Sequence, residues 1–76
     1  MLSKPVYIYP NIIAMMAING DTIRSLAKHL GIGYQALSAR LRGRKSFELP
    51  EIVRLMERYD CEFAYLFSTS NQSKPA

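Results

Sequence analysis

Two short helical patterns separated by a glycine turn limit the fold of this chain more than any other feature. The first pattern places apolar residues on one helix face, at Ile23, Leu26, Ala27 and Leu30. Gly31 follows at once, where a residue with positive φ ends a helix sharply. The second pattern begins after Gly33 and carries Leu37 and Leu41 four residues apart. Two helices joined by so short a turn predict a helix-turn-helix, with the small Ala27 where the two helices cross.

Three further segments complete an all-α prediction, a compact bundle of five short helices in which helices 2 and 3 form the helix-turn-helix. The first helix is predicted at residues 10–18, because Pro10 suits a first helical turn. A fourth helix is predicted to start at residues 48–51, where acids and a proline stand in its first turn. A short, aromatic-rich fifth helix is predicted at residues 62–67.

The chain has 76 residues, the length of one domain, and 49% of them are hydrophobic, which argues against disorder throughout. We expect an N-terminal arm at residues 1–9, the folded domain at residues 10–67 and a flexible C-terminal tail at residues 68–76. The apolar run at residues 12–18 is about a third of a membrane span. We therefore read it as part of a helix and expect no contact with a membrane.

Residues that carry catalytic or metal chemistry are scarce. The single cysteine, Cys61, cannot form an internal disulfide. Together with the single histidine, His29, it provides too few ligands for a zinc site. We interpret Cys61 as a small core residue. No pair of acids, nucleophile–base set or phosphate-binding glycine loop is present, since Gly31-Ile32-Gly33 signals only a turn. We expect no enzyme activity, no cofactor, no metal and no small-molecule ligand, and the cysteine content favours a cytoplasmic protein.

Charge is distributed unevenly along the chain. Residues 22–45 contain six cations and no acid, whereas residues 46–67 contain five acids and two arginines. A cationic half suits an anionic polymer such as nucleic acid, and an acidic half would repel it. The density is highest in "RLRGRK", residues 40–45, with four cations in six positions. Charge alone is equally compatible with an ordinary solvated surface.

Four short motifs follow one another along "TIRSLAKHLGIGYQALSARLRGRKSFELPEIVRLMERYDCEFAYLF", residues 22–67. They are "T-x-x-x-L-A-x-x-L-G-I", "L-S-x-x-L-x-G", "F-x-L-x-E-I" and a terminal "Y-L-F". Each motif is weak alone, but their order and spacing are specific. Together they resemble the phage repressor and Cro family of helix-turn-helix domains, the lambda repressor-like domains. The resemblance extends over residues 9–67, and the family fold is also a bundle of five short helices.

This resemblance implies sequence-specific binding to double-stranded DNA by a small transcriptional repressor of phage or mobile-element origin. The recognition helix, at about residues 34–42, would enter the major groove of an inverted-repeat operator. The family's base-contacting positions correspond to Tyr34, Gln35, Ser38 and Ala39. Its phosphate-contacting positions correspond to Thr22, Arg42, Arg44 and Lys45. Glutamine pairs with adenine, serine donates or accepts, and alanine meets a thymine methyl, so these residue types suit base readout.

A homodimer is expected because one helix-turn-helix reads too few base pairs for selectivity across a genome. The C-terminal helix carries more large apolar side chains than one short helix buries, and the resemblance places the dimer contact there in several family members. We assign this contact to Phe63, Tyr65, Leu66 and Phe67. A competing surface on helix 1, where relatives carry charges, consists of Ile13, Met15 and Ile18. These three residues either enlarge the core or form an exposed patch for a partner.

Four residues depart from the family pattern. Ile23 stands where glutamine usually braces the recognition helix, and Tyr34 stands where glutamine or serine is frequent. Asp60 replaces a glycine that ends a helix, and Glu62 replaces a serine or threonine cap. The first two departures keep an alternative open, a protein-interaction module or antitoxin-type partner with the same fold and weak or lost DNA specificity.

Overall fold

The helical prediction is confirmed by the computed structural model, which describes residues 6–70. Within those residues the chain forms no strand. Its five α-helices are α1 (Pro10–Ile18), α2 (Ile23–Leu30), α3 (Tyr34–Leu41), α4 (Leu49–Tyr59) and α5 (Phe63–Leu66). The outer parts of the predicted arm and tail, residues 1–5 and 71–76, lie outside the described part of the chain.

The starts of the helices follow from local chemistry. Pro10 occupies the first turn of α1, where its missing N–H costs no hydrogen bond. The Thr22 hydroxyl accepts a hydrogen bond from the Ser25 N–H at 3.0 Å, and the Ser25 hydroxyl accepts one from the Thr22 N–H at 2.9 Å. At the start of α4, a carboxylate oxygen of Glu51 accepts a hydrogen bond from the Glu48 N–H at 3.0 Å. These bonds satisfy N–H groups that have no partner inside the helix.

Two helices end on a residue with left-handed backbone geometry. Gly31 ends α2 with a φ of 77°, and the following Ile32 N–H donates to the Ala27 carbonyl at 3.0 Å. Asp60 ends α4 with a φ of 52°. Aspartate adopts this conformation at some steric cost, which a glycine would avoid. The aspartate at this position therefore affects local stability rather than the path of the chain.

All five helices contribute to one hydrophobic core. Its buried side chains are Ile12, Met16, Leu26, Ala27, Leu30, Leu37, Leu41, Leu55, Tyr59 and Leu66. Ile13 and Met15 are half-buried and pack against this core, whereas Ile18 is 75% exposed. Ile13 and Met15 thus enlarge the core, which is one of the two predicted roles, whereas Ile18 is exposed to solvent, as the other role requires. Cys61 also packs against the core, and burial raises the pKa of its thiol.

Side-chain hydrogen bonds connect helices that are distant in sequence. The amide of the buried Asn11 donates to the Tyr65 carbonyl at 2.8 Å, which joins α1 to α5. The Arg54 guanidinium donates to the Leu30 carbonyl at 3.3 Å, which joins α4 to the end of α2. Carbonyl groups in the last turn of a helix lack intrahelical partners, so the bond from Arg54 satisfies one of them.

The described end of the predicted arm packs on the domain. The Ile8 N–H donates to the Leu41 carbonyl at the end of α3, at 2.9 Å. Gly43 follows with a φ of 82°, and a Cβ at this position would lie 2.7 Å from Cδ1 of Ile8. The positive φ favours glycine here, and any larger residue would also require Cδ1 of Ile8 to shift. Tyr7 and Tyr9 also pack against the core, so residues 7–9 do not extend from the domain.

Candidate nucleic-acid interface

The helix-turn-helix consists of α2, the turn at Gly31 and α3, and the two helices are in contact. Ala27 is only 2% exposed, and Leu37 and Leu41 are fully buried. Because these two leucines hold one side of α3 in the core, the residues on its other side face solvent. Helix α3 is one residue shorter than the predicted recognition helix, since Arg42 caps it.

An open cleft lies along the outward side of α3. It has a volume of about 310 Å³ and is lined by Tyr7, Ile23, Tyr34, Gln35, Ser38, Ala39, Arg42 and Arg44. The structure therefore brings together all four residues predicted to contact bases and two of the four predicted to contact phosphates. We refer to this surface as the α3 cleft.

The two remaining phosphate candidates are exposed outside the lining of the α3 cleft. Thr22 lines a neighbouring depression that shares Tyr7 and Ile23 with the cleft. Lys45 directly follows Arg44 in the loop after α3. The predicted phosphate contacts thus lie at the start of α2 and beyond the end of α3.

The predicted base contacts differ in accessibility. Tyr34 is 42% exposed, and its neighbour Gln35 is also exposed, in the first turn of α3. Ser38 and Ala39, one turn later, are half-buried. Long side chains thus project from the start of the helix, and short ones form the floor of the cleft further along.

Arg42 enters the α3 cleft with unused hydrogen-bonding capacity. Its Nε is buried and has no hydrogen-bond partner, a condition found at no other side chain among residues 6–70. The guanidinium carbon lies 6.0 Å from the centre of the Tyr7 ring. A buried donor without an acceptor is unfavourable, so a rearrangement of Arg42 that gives its Nε an acceptor would be favoured.

Arg40 belongs to the same cationic segment but is directed elsewhere. Its Nε donates to a carboxylate oxygen of Glu51 at 2.8 Å, and the two side chains are 11% and 8% exposed. A terminal nitrogen of Arg40 also donates to the Ala36 carbonyl at 3.3 Å. This ion pair ties α3 to the start of α4. Of the four cations at residues 40–45, three therefore have no carboxylate partner in the described part of the chain.

Sequence reasoning missed two residues at this surface, Arg24 and Tyr7. The guanidinium carbon of Arg24 lies 4.0 Å from the centre of the Tyr34 ring, within the range of a cation–π interaction. The predicted helix-turn-helix could have indicated this contact, because the motif brings the first turns of α2 and α3 together. Tyr7 lines the cleft from the predicted arm, and no local pattern in the sequence connects it with α3.

Asp21 is the acid nearest the start of α2, and its charge is compensated within the domain. Its carboxylate accepts two hydrogen bonds from Arg58, at 2.9 and 2.7 Å, and one from the Tyr59 hydroxyl at 2.6 Å. The Ser25 hydroxyl donates a further bond at 2.8 Å. The hydrogen bonds from Arg58 hold the pKa of Asp21 well below its usual range, and burial raises the pKa of Tyr59. The negative charge of Asp21 is therefore balanced by Arg58, so it should repel a polyanion near Thr22 only weakly.

The predicted dimer surface on α5 needs one correction. Leu66 is fully buried, so it contacts its own core and offers nothing to a second copy. A four-residue helix must turn one side inward to remain attached, and Leu66 is on that side. Phe63 is 51% exposed, and Tyr65 and Phe67 are half-buried. The rings of Phe63 and Phe67 stack with their centres 4.9 Å apart.

The described part of the chain, residues 6–70, contains neither a cluster of metal-ligating side chains nor a membrane-spanning helix. No three His, Cys, Asp or Glu side chains there are grouped so that they could hold a metal ion. None of the described helices combines the length and the apolar character needed to cross a membrane.

Comparison with protein-family models, with curated protein sequences and with solved structures gave no match. The family resemblance therefore rests on the four motifs, and DNA binding stays a prediction. The structure adds the positions of the residues that were predicted to contact DNA.

Proposed function

We propose that this protein binds double-stranded DNA sequence-specifically through the α3 cleft and acts as a small transcriptional repressor. The observation that carries the proposal is the composition of the cleft. Six residues predicted to contact bases or phosphates line it together, and the predicted phosphate contacts among them have no carboxylate partner in the described chain. The resemblance supports the repressor role, the phage or mobile-element origin and, with these, a cytoplasmic location.

In this proposal α3 lies in the major groove and reads base edges. Gln35 is exposed at its first turn and has an amide that pairs bidentately with adenine. Ser38 donates to or accepts from a base, and Ala39 contacts a thymine methyl. Because Ser38 and Ala39 are half-buried, they act only where the DNA surface fits closely against the cleft.

The cations beside the cleft bind phosphates and position the helix. Arg44 and Lys45 are exposed in the loop after α3, and Arg42 carries the unpaired Nε. Thr22 lies at the start of α2, where backbone N–H groups favour an anion. Contacts of this kind set the register on the duplex without reading its sequence.

We propose that two copies bind the two halves of an inverted repeat, about one helical turn apart. The corrected dimer surface consists of Phe63, Tyr65 and Phe67, of which Phe63 is the most exposed. Ile18 on α1 is the competing apolar surface.

The same Ile18 supports a second candidate function, a protein-interaction module or antitoxin-type partner. An isoleucine that is 75% exposed on a short helix suits contact with another protein. The two functions differ in one measurable property, which is preference among DNA sequences.

Selection of bound sites from random duplex DNA tests the proposal. Enrichment of one inverted repeat is expected. Gln35→Ala should weaken binding to the enriched site by about 1–3 kcal/mol and leave binding to random DNA nearly unchanged, if the amide reads a base. Asn19→Ala is the matched control, because it removes an exposed amide outside the cleft lining. Absence of any enriched sequence, or equal losses by Gln35→Ala on both DNAs, would favour the interaction module.

A further inference from the structure

We infer that Arg24 and Tyr34 act as one stacked unit, in which Arg24 binds a DNA phosphate and holds the Tyr34 ring so that its hydroxyl meets a base edge. This inference rests on the proposed DNA-binding function and deepens it. It assigns a phosphate contact that the motifs did not indicate, and it gives a base-contacting residue a fixed orientation.

The geometry of the pair carries the inference. The Arg24 guanidinium lies over the Tyr34 ring, 4.0 Å from its centre. Both residues are exposed, and Arg24 forms no ion pair within residues 6–70. A guanidinium that stacks through its flat face keeps its N–H edge free to donate, so the same group can stack and bind a phosphate.

The position of the pair suits this double role. Arg24 is the second residue of α2, two residues after the predicted phosphate contact Thr22. Tyr34 is the first residue of α3 and lines the α3 cleft. In a helix-turn-helix the first helix crosses the DNA backbone while the start of the second reaches base edges. The stack therefore joins a backbone-contacting helix to a base-reading helix.

The stack also compensates for a missing polar contact. In the family that the motifs resemble, the position of Ile23 usually carries a glutamine that braces the recognition helix, and isoleucine cannot form a hydrogen bond through its side chain. Ile23 instead packs against the core and lines the α3 cleft. The contact between the two first turns is made by Arg24 and Tyr34. One face of the ring is covered, and the opposite face, the ring edge and the hydroxyl are left for DNA.

Orientation before binding lowers the conformational entropy lost at the interface. Each partner should therefore increase the contribution of the other to DNA affinity. Removal of the ring frees the guanidinium, and removal of the guanidinium frees the ring. The expected coupling on specific DNA is about two- to fivefold, which corresponds to an exposed cation–π contact.

The test is a double-mutant cycle with Arg24→Ala and Tyr34→Leu, measured on the selected DNA site and on random duplex DNA. Lys28→Ala is the matched control, because it removes an exposed cation one turn further along α2 without removing the stack. Tyr34→Phe keeps the ring and removes only the hydroxyl. The ring-current shift of the Arg24 δ-protons in the free protein reports the stack without any DNA.

Arg24→Ala should flatten the slope of log K against log salt by about one unit. Its effect on the selected site should be non-additive with Tyr34→Leu, whereas that of Lys28→Ala should add. Tyr34→Phe should keep the ring-current shift and relax preference at one base pair in each half-site. Additive effects of Arg24→Ala and Tyr34→Leu, or no ring-current shift, would overturn the stacked unit while DNA binding stands. No sequence preference in the wild type would overturn the proposed function and this inference with it.

Discussion

The two sides of α3 use arginine for opposite purposes. On the side that faces α4, Arg40 donates to Glu51 at 2.8 Å and both side chains are nearly buried. On the cleft side, Arg42 keeps a buried Nε without a partner and Arg44 is exposed. Arg40 and Arg42 are only two residues apart along the chain. The contrast shows that a cationic run in a sequence overstates the charge available to a polyanion. Arg40 belongs to the run, but its charge is already paired with Glu51 between two helices.

Mutation on the side of α3 that faces α4 should have the largest effect, which is a loss of folding stability. Glu51→Ala leaves the nearly buried Arg40 without its carboxylate and the Glu48 N–H without its acceptor. Loss of one partner of a buried pair costs about 3 kcal/mol of unfolding free energy. Urea denaturation followed by circular dichroism measures this loss.

The double variant Arg40→Met/Glu51→Met is the control for that experiment. It removes both charges and keeps apolar volume, so it should recover most of the stability. Recovery would show that the cost of Glu51→Ala comes from the unpaired charge. If Glu51→Ala is as stable as the wild type, the ion pair does not hold α3 to α4 and the contrast between the two sides fails.

The cleft side should respond in the opposite way, with lost DNA affinity and unchanged stability. Replacement of Arg42, Arg44 and Lys45 by alanine removes three proposed phosphate contacts. Affinity for any duplex should fall about a hundredfold at moderate salt, and the slope of log K against log salt should flatten by about three units. Fluorescence anisotropy over a salt series measures both quantities. An unchanged slope would mean that these cations are only a solvated surface.

Acid should weaken a second carboxylate–arginine contact, that of Asp21 with Arg58. The pKa of the Asp21 carboxyl is lower in the folded protein than in the unfolded chain, where it is about 3.9. Its contribution is therefore complete above that value and is lost as pH falls through the lower, folded pKa. We expect a loss of about 2 kcal/mol, the contribution of hydrogen bonds to a charged group.

Urea denaturation at several pH values below 5 follows this loss, and Asp21→Asn provides the reference because it cannot titrate. The variant should be less stable than the wild type at neutral pH, and the difference should shrink with acid. A difference that stays constant between pH 5 and pH 2 would contradict the role assigned to the Asp21 charge.

The smallest effect is expected at the dimer surface, which belongs to neither side of α3. Phe63→Asp puts a charge on the most exposed aromatic side chain of α5 and should weaken self-association by about 1 kcal/mol. Ile18→Asp tests the competing surface on α1. Leu66 is unsuitable as a probe, because its side chain is fully buried and its replacement would destabilise the core.

Sedimentation equilibrium, with and without the selected DNA, distinguishes these surfaces. A weaker dimer only in Ile18→Asp would move the interface to α1. A wild type that remains monomeric both alone and on its DNA would end the dimer proposal, and each α3 cleft would then have to act singly.

Local patterns in the sequence were sufficient to predict the helices and the helix-turn-helix. The bounds of α1 match the prediction, because Pro10 is a local signal. The end of α2 followed from Gly31, whose positive φ angle few other residues adopt. Spacing of three and four residues identified Leu26, Leu30, Leu37 and Leu41 as core residues for the same reason, since it depends only on helix geometry.

The sequence by itself thus determined where helices begin and end and which of their sides is apolar, because these depend on residues a few positions apart. Only the tertiary structure decided which arginine is paired with Glu51, that Arg24 lies over Tyr34 and that Tyr7 joins the cleft. It also decided that Leu66 is core while Phe63 is exposed. Each of these outcomes depends on which helices pack against one another, and the spacing of residues along one helix carries no information about contacts with another.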